Sequence, residues 1–147
     1  MPQPITITNP KDGSTLAIHI KADFSNDGIA FFTPDEYSQQ LAYMKHPVGH
    51  KIIPHVHNMV ERSVFYTQEV LVIKKGAVRV DFYDNDRQYL LSTILRTGDV
   101  ILLASGGHGF EVLEELEMYE IKQGPYIGED DKTRFEGKID EIKMVED

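Results

Sequence analysis

Short apolar stretches bounded by turn residues recur along most of this chain, and they restrict it to an all-β fold. Clusters such as Asn26-Asp27-Gly28 and Thr97-Gly98-Asp99 separate stretches that are too short for buried helices. The predicted strands are residues 5–8, 16–20, 41–45, 69–73, 77–83, 89–96, 100–103, 110–113 and 117–123. Short strands with regularly spaced turns are typical of a sandwich or a barrel, and 147 residues indicate a single domain, residues 1–147.

Two regions depart from this strand pattern. Thr33 precedes Pro34 and two acidic residues, which predicts a capped short helix extending to about Gln40. Residues 125–147 are rich in charge and are predicted to form a partly ordered tail with room for one short helix. Its candidate packing residues are Phe135, Ile139, Ile142 and Met144.

Composition excludes several classes of function. The chain has no cysteine, so it has neither disulfides nor thiolate metal ligands. A net charge of −9 disfavours a nucleic-acid partner, because phosphate binding requires a basic patch. The sequence shows no signal-peptide pattern and no apolar run long enough to span a membrane, so we expect a cytoplasmic protein with no membrane partner.

Three histidines and one glutamate stand at informative positions. His55 and His57 are two residues apart in an extended-looking stretch, where side chains i and i+2 point the same way. Glu69 opens the apolar run that ends at Gly76, and His108 follows a Gly-rich bend after residues 100–103. Imidazole and carboxylate suit one divalent ion of Fe, Mn, Ni, Zn or Co.

The two stretches resemble the two sequence motifs of the cupin superfamily. The first motif here reads Gly49, five residues, His55-Val56-His57, a gap, Glu69, six residues, Gly76. The second reads Gly98, five residues, Ala104-Ser105-Gly106, one residue, His108. Ala104 stands where the family usually has proline, and the gap after His57 is longer than usual. The resemblance covers roughly residues 41–124.

The resemblance implies a single-domain jelly-roll β-barrel that assembles as a homodimer. It also implies that His55, His57, Glu69 and His108 bind one divalent transition-metal ion. Cupins of this type run oxygenation, isomerisation or lysis on small polar organic substrates, and the fold does not select among these reactions.

Glu61 is an alternative carboxylate ligand. It follows His57 by the short spacing that is more usual in cupins, whereas Glu69 keeps the six-residue distance to Gly76. We favour Glu69, which makes residues 58–68 an inserted loop over the barrel mouth.

Several other side chains are candidates for contact with a substrate. Tyr66 lies in the predicted loop, Leu71 and Phe110 share the strand faces of Glu69 and His108, and Glu120 lies on the last predicted strand. The remaining histidines lack partners at informative spacing and are interpreted as surface residues. They are His19, His46 and His50.

Two other functions remain open. One is a metal-free cupin that isomerises or epimerises a nucleotide sugar, in which His55 or His57 moves protons. The other is a non-catalytic module that binds and senses a small molecule.

Overall fold

The structure, a computed structural model, describes residues 2–146, and the chain is all-β as the sequence predicted. Within these residues there are eight strands and one 3₁₀ turn. The strands are β1 Ile5–Thr8, β2 Thr15–Ile20, β3 Gly28–Phe31, β4 Ala42–Lys45, β5 Glu69–Tyr83, β6 Tyr89–Arg96, β7 Val100–Leu103 and β8 Gly107–Lys122. The 3₁₀ turn is Gly128–Asp131.

Strand β5 organises the main sheet. The sheet has the order β1-β2-β7-β5-β6, and β8 pairs with the other edge of β5. The first residues of β5 pair with β7 and its last residues pair with β6, while β8 follows it over nearly its whole length. All of these pairings are antiparallel. Strands β3 and β4 form a separate hairpin.

The β5–β8 ladder is strongly curled. Glu69 is opposite Lys122 at one end of it, and Phe82 is opposite His108 at the other. Thirteen residues of extended strand span about 43 Å at about 3.3 Å each. Nevertheless, His108 Nε2 lies only 3.8 Å from Glu69 Oε2. The ladder therefore bends back on itself, and the sheet forms a half-barrel.

The bend coincides with an irregularity at Gly76. The register of β5 against β8 shifts on both sides of this residue, as in a β-bulge, and its φ is +98°. A Cβ at this position would collide with the carbonyl oxygen of Glu115 on β8. The sequence predicted a turn ending the strand at Gly76. That prediction is wrong, because the left-handed backbone that glycine permits is used for a bulge within one long strand.

The concave side of the sheet holds the main hydrophobic core. Strands β1, β2, β5, β6 and β7 all contribute buried side chains to it. They are Ile7, Leu16, Ala17, Leu71, Ile73, Val78, Val80, Phe82, Leu90, Leu95, Ile101 and Leu103. A smaller cluster of Val70, Leu102 and Ala104 lies apart from this core and is covered by Tyr37 and Leu41.

The helix predicted to extend from Thr33 to Gln40 is absent, and that prediction is wrong. Turns occupy these residues. The Gln40 side-chain amide donates to the carbonyls of Pro34 at 2.9 Å and Tyr37 at 2.8 Å. The Thr33 hydroxyl donates to Gln40 Oε1 at 2.7 Å. These side-chain hydrogen bonds offer the backbone an alternative to a helix.

The last two predicted strands are one strand. Glu114 and Glu115, predicted to join two separate strands, lie inside β8. Lys75 Nζ lies 4.0 Å from a Glu115 carboxylate oxygen across the ladder, and the Glu115 side chain faces water. Charged residues are common on edge strands, so this pair is compatible with one continuous edge strand.

The C-terminal tail docks through residues that differ in part from those predicted. The Phe135 ring packs edge-on against Tyr83 with centroids 5.1 Å apart. Val145 packs against the main core, and its amide donates to the Ser92 carbonyl at 2.8 Å. Ile142 and Met144 are exposed instead.

His19, interpreted from sequence as a surface residue, is buried, so that interpretation is wrong. Strand β2 lies between β1 and β7 and is covered on both faces, which places His19 inside. Its Nε2 lies 2.9 Å from Asp99 Oδ2. The Asp99 carboxylate also accepts backbone hydrogen bonds from Ala22 at 2.9 Å and Arg96 at 3.0 Å.

We expect Asp99→Asn to lower the free energy of unfolding at neutral pH by about 2 kcal/mol, because charged hydrogen bonds to a buried acceptor are lost. Burial alone raises the pKa of Asp99, but hydrogen bonds from His19, Arg96 and Ala22 outweigh it and lower that pKa below its usual value. A depressed folded-state pKa stabilises the fold above the unfolded value of about 4 and ceases to do so as pH falls through the folded value.

Urea unfolding of wild type and Asp99→Asn should therefore show a gap that narrows at acidic pH. Asp27→Asn is the matched control, because the Asp27 side chain is 97% exposed, and it should change stability by less than about 0.5 kcal/mol. A gap that stays constant down to the lowest pH would contradict the assigned role of Asp99.

Candidate functional site

Glu69 and His108 meet at one end of the core. Glu69 is the first residue of β5 and lies opposite Leu103, the last residue of β7. The chain then turns through Gly106, whose φ of +75° and close approach to the Tyr83 carbonyl both require glycine, and His108 follows at the start of β8. The strand–bend–strand geometry thus brings together two residues that the sequence singled out as metal ligands.

Glu120 joins this pair from the other end of β8. It lies opposite Leu71 in the ladder, and its carboxyl group shares a hydrogen bond with that of Glu69. Burial, the hydrogen bond to Glu120 and repulsion from the Glu120 charge raise the pKa of Glu69 to about 7. Glu69 therefore carries its proton far more readily at neutral pH than an ordinary carboxyl group does.

His108 is shaped by its position in the same cluster. Its ring packs against Phe110 with centroids 5.4 Å apart, and burial is the main cause that lowers the pKa of the imidazole. The charge of Glu120 opposes this shift and that of Lys132 adds to it. Neutral imidazole is the form that can accept a proton or bind a metal ion.

The structure places His55 and His57 outside this cluster. Residues 46–68 contain no strand, contrary to the extended strand expected for the pair, and Pro47 and Pro54 remove two backbone donors there. The two rings lie near each other, with centroids 5.4 Å apart. His55 Nδ1 lies 2.9 Å from the Ile53 carbonyl oxygen. In the region from residue 2 to 146, no group of three or more His, Asp or Glu is arranged to hold a metal ion.

The candidate substrate contacts fall in different environments. Tyr66 is exposed in the same irregular stretch, and Leu71 is buried in the main core. Phe110 is partly exposed beside His108. Glu120 is the one that contacts Glu69. Glu61, the alternative ligand, is exposed and lies in the stretch without regular structure.

Sequence reasoning did not foresee that Glu120 and Glu69 share a hydrogen bond. Glu120 was selected only as a polar residue on the last strand. The alternation of side chains along β5 and β8 puts Glu69, Leu71 and Glu120 on one face. That relation follows only from the β5–β8 register, which the sequence does not display.

Comparisons with protein-family models, with curated proteins and with solved structures found no match for the chain. The cupin resemblance therefore rests on the residues quoted above. Among residues 2–146, no helix has the length and apolar character needed to cross a membrane.

Proposed function

We propose that this chain is a cupin-type jelly-roll protein and a metal-dependent enzyme for a small polar organic substrate. The observation that carries the proposal is the approach of His108 to Glu69, at 3.8 Å, from opposite ends of the ladder. The resemblance to the cupin motifs implies both residues as metal ligands. A half-barrel with an imidazole and a carboxyl group at one end of its core is the scaffold that such a site requires.

The chemistry of the cluster suits a divalent ion. Burial, the hydrogen bond to Glu120 and repulsion from the Glu120 charge raise the pKa of Glu69 and so favour its protonated form. A cation next to these carboxylates would offset that repulsion and take the place of the proton. In the proposal His108 and Glu69 hold the ion together with His55 and His57, and Glu120 orients Glu69. A bound ion of this kind supplies Lewis-acid polarisation of a substrate oxygen.

The test compares metal binding by two glutamate variants. Glu69→Gln keeps the shape of a protonated carboxyl group but cannot become an anion, so we expect Co²⁺ affinity to fall by at least about tenfold. Glu61→Gln is the matched control and should stay close to wild type. Co²⁺ titration followed by visible absorption, with metal analysis after dialysis, gives both values. If Glu61→Gln loses the ion and Glu69→Gln retains it, Glu61 is the ligand.

The raised pKa of Glu69 favours a second candidate, a metal-free isomerase or epimerase. A carboxyl group with a pKa of about 7 beside a neutral imidazole is suited to donate and accept protons near neutral pH. In this alternative Glu69 and His108 move the protons, in place of His55 or His57. Wild-type protein that binds no Co²⁺ would favour this function over the metal-dependent one.

A further inference from the structure

The stretch from Pro47 to Thr67, called the 47–67 segment, is unusually exposed. Every side chain in it is exposed, and it contains no regular secondary structure. Its apolar side chains are Val48, Ile52, Ile53, Val56, Met59, Val60, Val64, Phe65 and Tyr66. Loops of this length without structure are uncommon in compact domains, and disordered linkers are normally poor in apolar residues. The apolar side chains of the 47–67 segment are therefore typical of a segment that packs against another protein surface.

Strand β8 has an outer edge to which another segment could bind. It pairs only with β5, so among residues 2–146 its outer edge has no strand partner over sixteen residues. Apolar side chains along it are exposed, namely Phe110, Val112, Leu113, Met118, Tyr119 and Ile121. A groove of about 440 Å³ lies beside it, lined by Lys74, Leu116, Glu117, Met118 and Tyr119. Long exposed edges with apolar side chains are sites where another strand adds.

The charges of the two surfaces are complementary. Strand β8 carries five glutamates and a single lysine. The 47–67 segment carries Lys51, Arg62 and three histidines against a single acid, Glu61, in a chain whose net charge is −9. Opposite charge steers association and fixes register.

The extent of the two surfaces suits a stable dimer. Together they expose fifteen large apolar side chains per chain. These side chains present on the order of 1,000 Å² of apolar surface, which exceeds the roughly 800 Å² per partner that a standard interface buries.

We propose that two copies of this chain exchange their 47–67 segments, so that each segment adds to the outer edge of β8 in the other copy. In a dimer with a two-fold axis, each copy provides one 47–67 segment and one open β8 edge. Both segments and both edges are therefore covered. Glu120 and His108 lie at the two ends of that edge, and Glu69 contacts both of them. The exchange therefore brings His55 and His57 of one copy toward Glu69 and His108 of the other. This last step rests on the proposed metal site, whereas the exchange itself does not.

Crosslinking tests the exchange without any metal. The chain has no cysteine, so Met59→Cys on the segment and Tyr119→Cys on β8 each add a single reactive thiol. Mixing the two single-cysteine proteins, one carrying a mass tag, should give a covalent heterodimer with a short bismaleimide. Light scattering should give the mass of a dimer. A monomer at all concentrations, or a crosslink formed only within a chain that carries both cysteines, would overturn the exchange.

A charge variant supplies the matched control. Tyr119 and Phe31 are both exposed aromatic residues on strands, at 58% and 66%, but Phe31 lies on the separate β3–β4 hairpin. Tyr119→Lys removes an apolar contact and places a positive charge on β8 opposite the basic 47–67 segment, so it should weaken dimerisation at least about tenfold. Phe31→Lys should leave dimerisation unchanged. Equal effects of the two variants would count against β8 as the interface.

Complementation tests whether the metal site is shared. His55→Ala/His57→Ala and Glu69→Gln/His108→Ala proteins should each bind no Co²⁺. When they are unfolded together and refolded as a mixture, random pairing makes half of the dimers mixed, and each mixed dimer has one intact site. About one quarter of wild-type Co²⁺ binding should return.

If all four ligands come from a single chain, the mixture should recover no Co²⁺ binding. That result would overturn the shared site. If wild-type protein itself binds no Co²⁺, the proposed metal site fails. In that case the crosslinking result and the mass from light scattering alone test whether the segments are exchanged.

Discussion

Replacing Gly76 by alanine is expected to lower the free energy of unfolding by about 3 kcal/mol or more, one of the largest effects of any single substitution in this chain. The φ of +98° is strained for alanine, and the new Cβ would collide with the Glu115 carbonyl group. Relief requires β5 and β8 to separate where the ladder bends. Urea unfolding followed by far-ultraviolet circular dichroism measures the loss.

Gly13→Ala separates the two causes. Gly13 also has a positive φ, +76°, but a Cβ there meets nothing within 4 Å. It should cost only the backbone strain, about 1 kcal/mol. If both variants lose the same stability, the close approach of β8 to Gly76 contributes nothing. If the larger loss is confirmed, Gly76→Ala should also weaken Co²⁺ binding, because the same bend brings His108 to Glu69.

Removing His55 and His57 together is expected to abolish Co²⁺ retention after dialysis, from about one ion per chain to none, if these histidines complete the proposed site. Both side chains are exposed, so the double alanine variant should keep the unfolding free energy of the wild type. Metal analysis and urea unfolding of the same preparation give the two readouts.

The control for this variant lies in the same part of the chain. The rings of His46 and His50 stack with centroids 4.1 Å apart and planes 10° from parallel. An exposed histidine pair can hold metal weakly wherever it occurs, so His46→Ala/His50→Ala tests for binding of that kind. We expect it to retain the ion. Full occupancy in the His55/His57 variant, or equal losses in both, would rule out the assigned ligand set.

Much of the strand pattern could be predicted from the sequence because it depends on local alternation and turn chemistry. The hairpin turn at Asp84 is an example. Its carboxylate accepts hydrogen bonds from the amides of Asp86 and Gln88, each at 2.9 Å. Such turns form from residues a few positions apart and leave a signature in composition.

The errors arise where distant contacts override a local signal. A glycine with positive φ fits a turn or a bulge equally well, and only the approach of β8 decides that Gly76 forms a bulge. His19 has no local partner, because the Asp99 carboxylate that it contacts lies 80 residues further along the chain. The Glu69–Glu120 contact likewise follows from a register between strands far apart in the chain.

The position of β2 between β1 and β7 also constrains the order in which the fold forms. Residues 5–20 make a local hairpin, and such hairpins form within microseconds. Within residues 2–146, the other edge of β2 pairs with β7 alone, where Ile18 is opposite Leu102. During synthesis the hairpin therefore forms before β7 exists, and the edge of β2 stays unpaired until most of the chain has been made. A ribosome stalled before residue 100 would hold a nascent chain with this edge exposed to chaperones or to aggregation, and synthesis of β7 closes it.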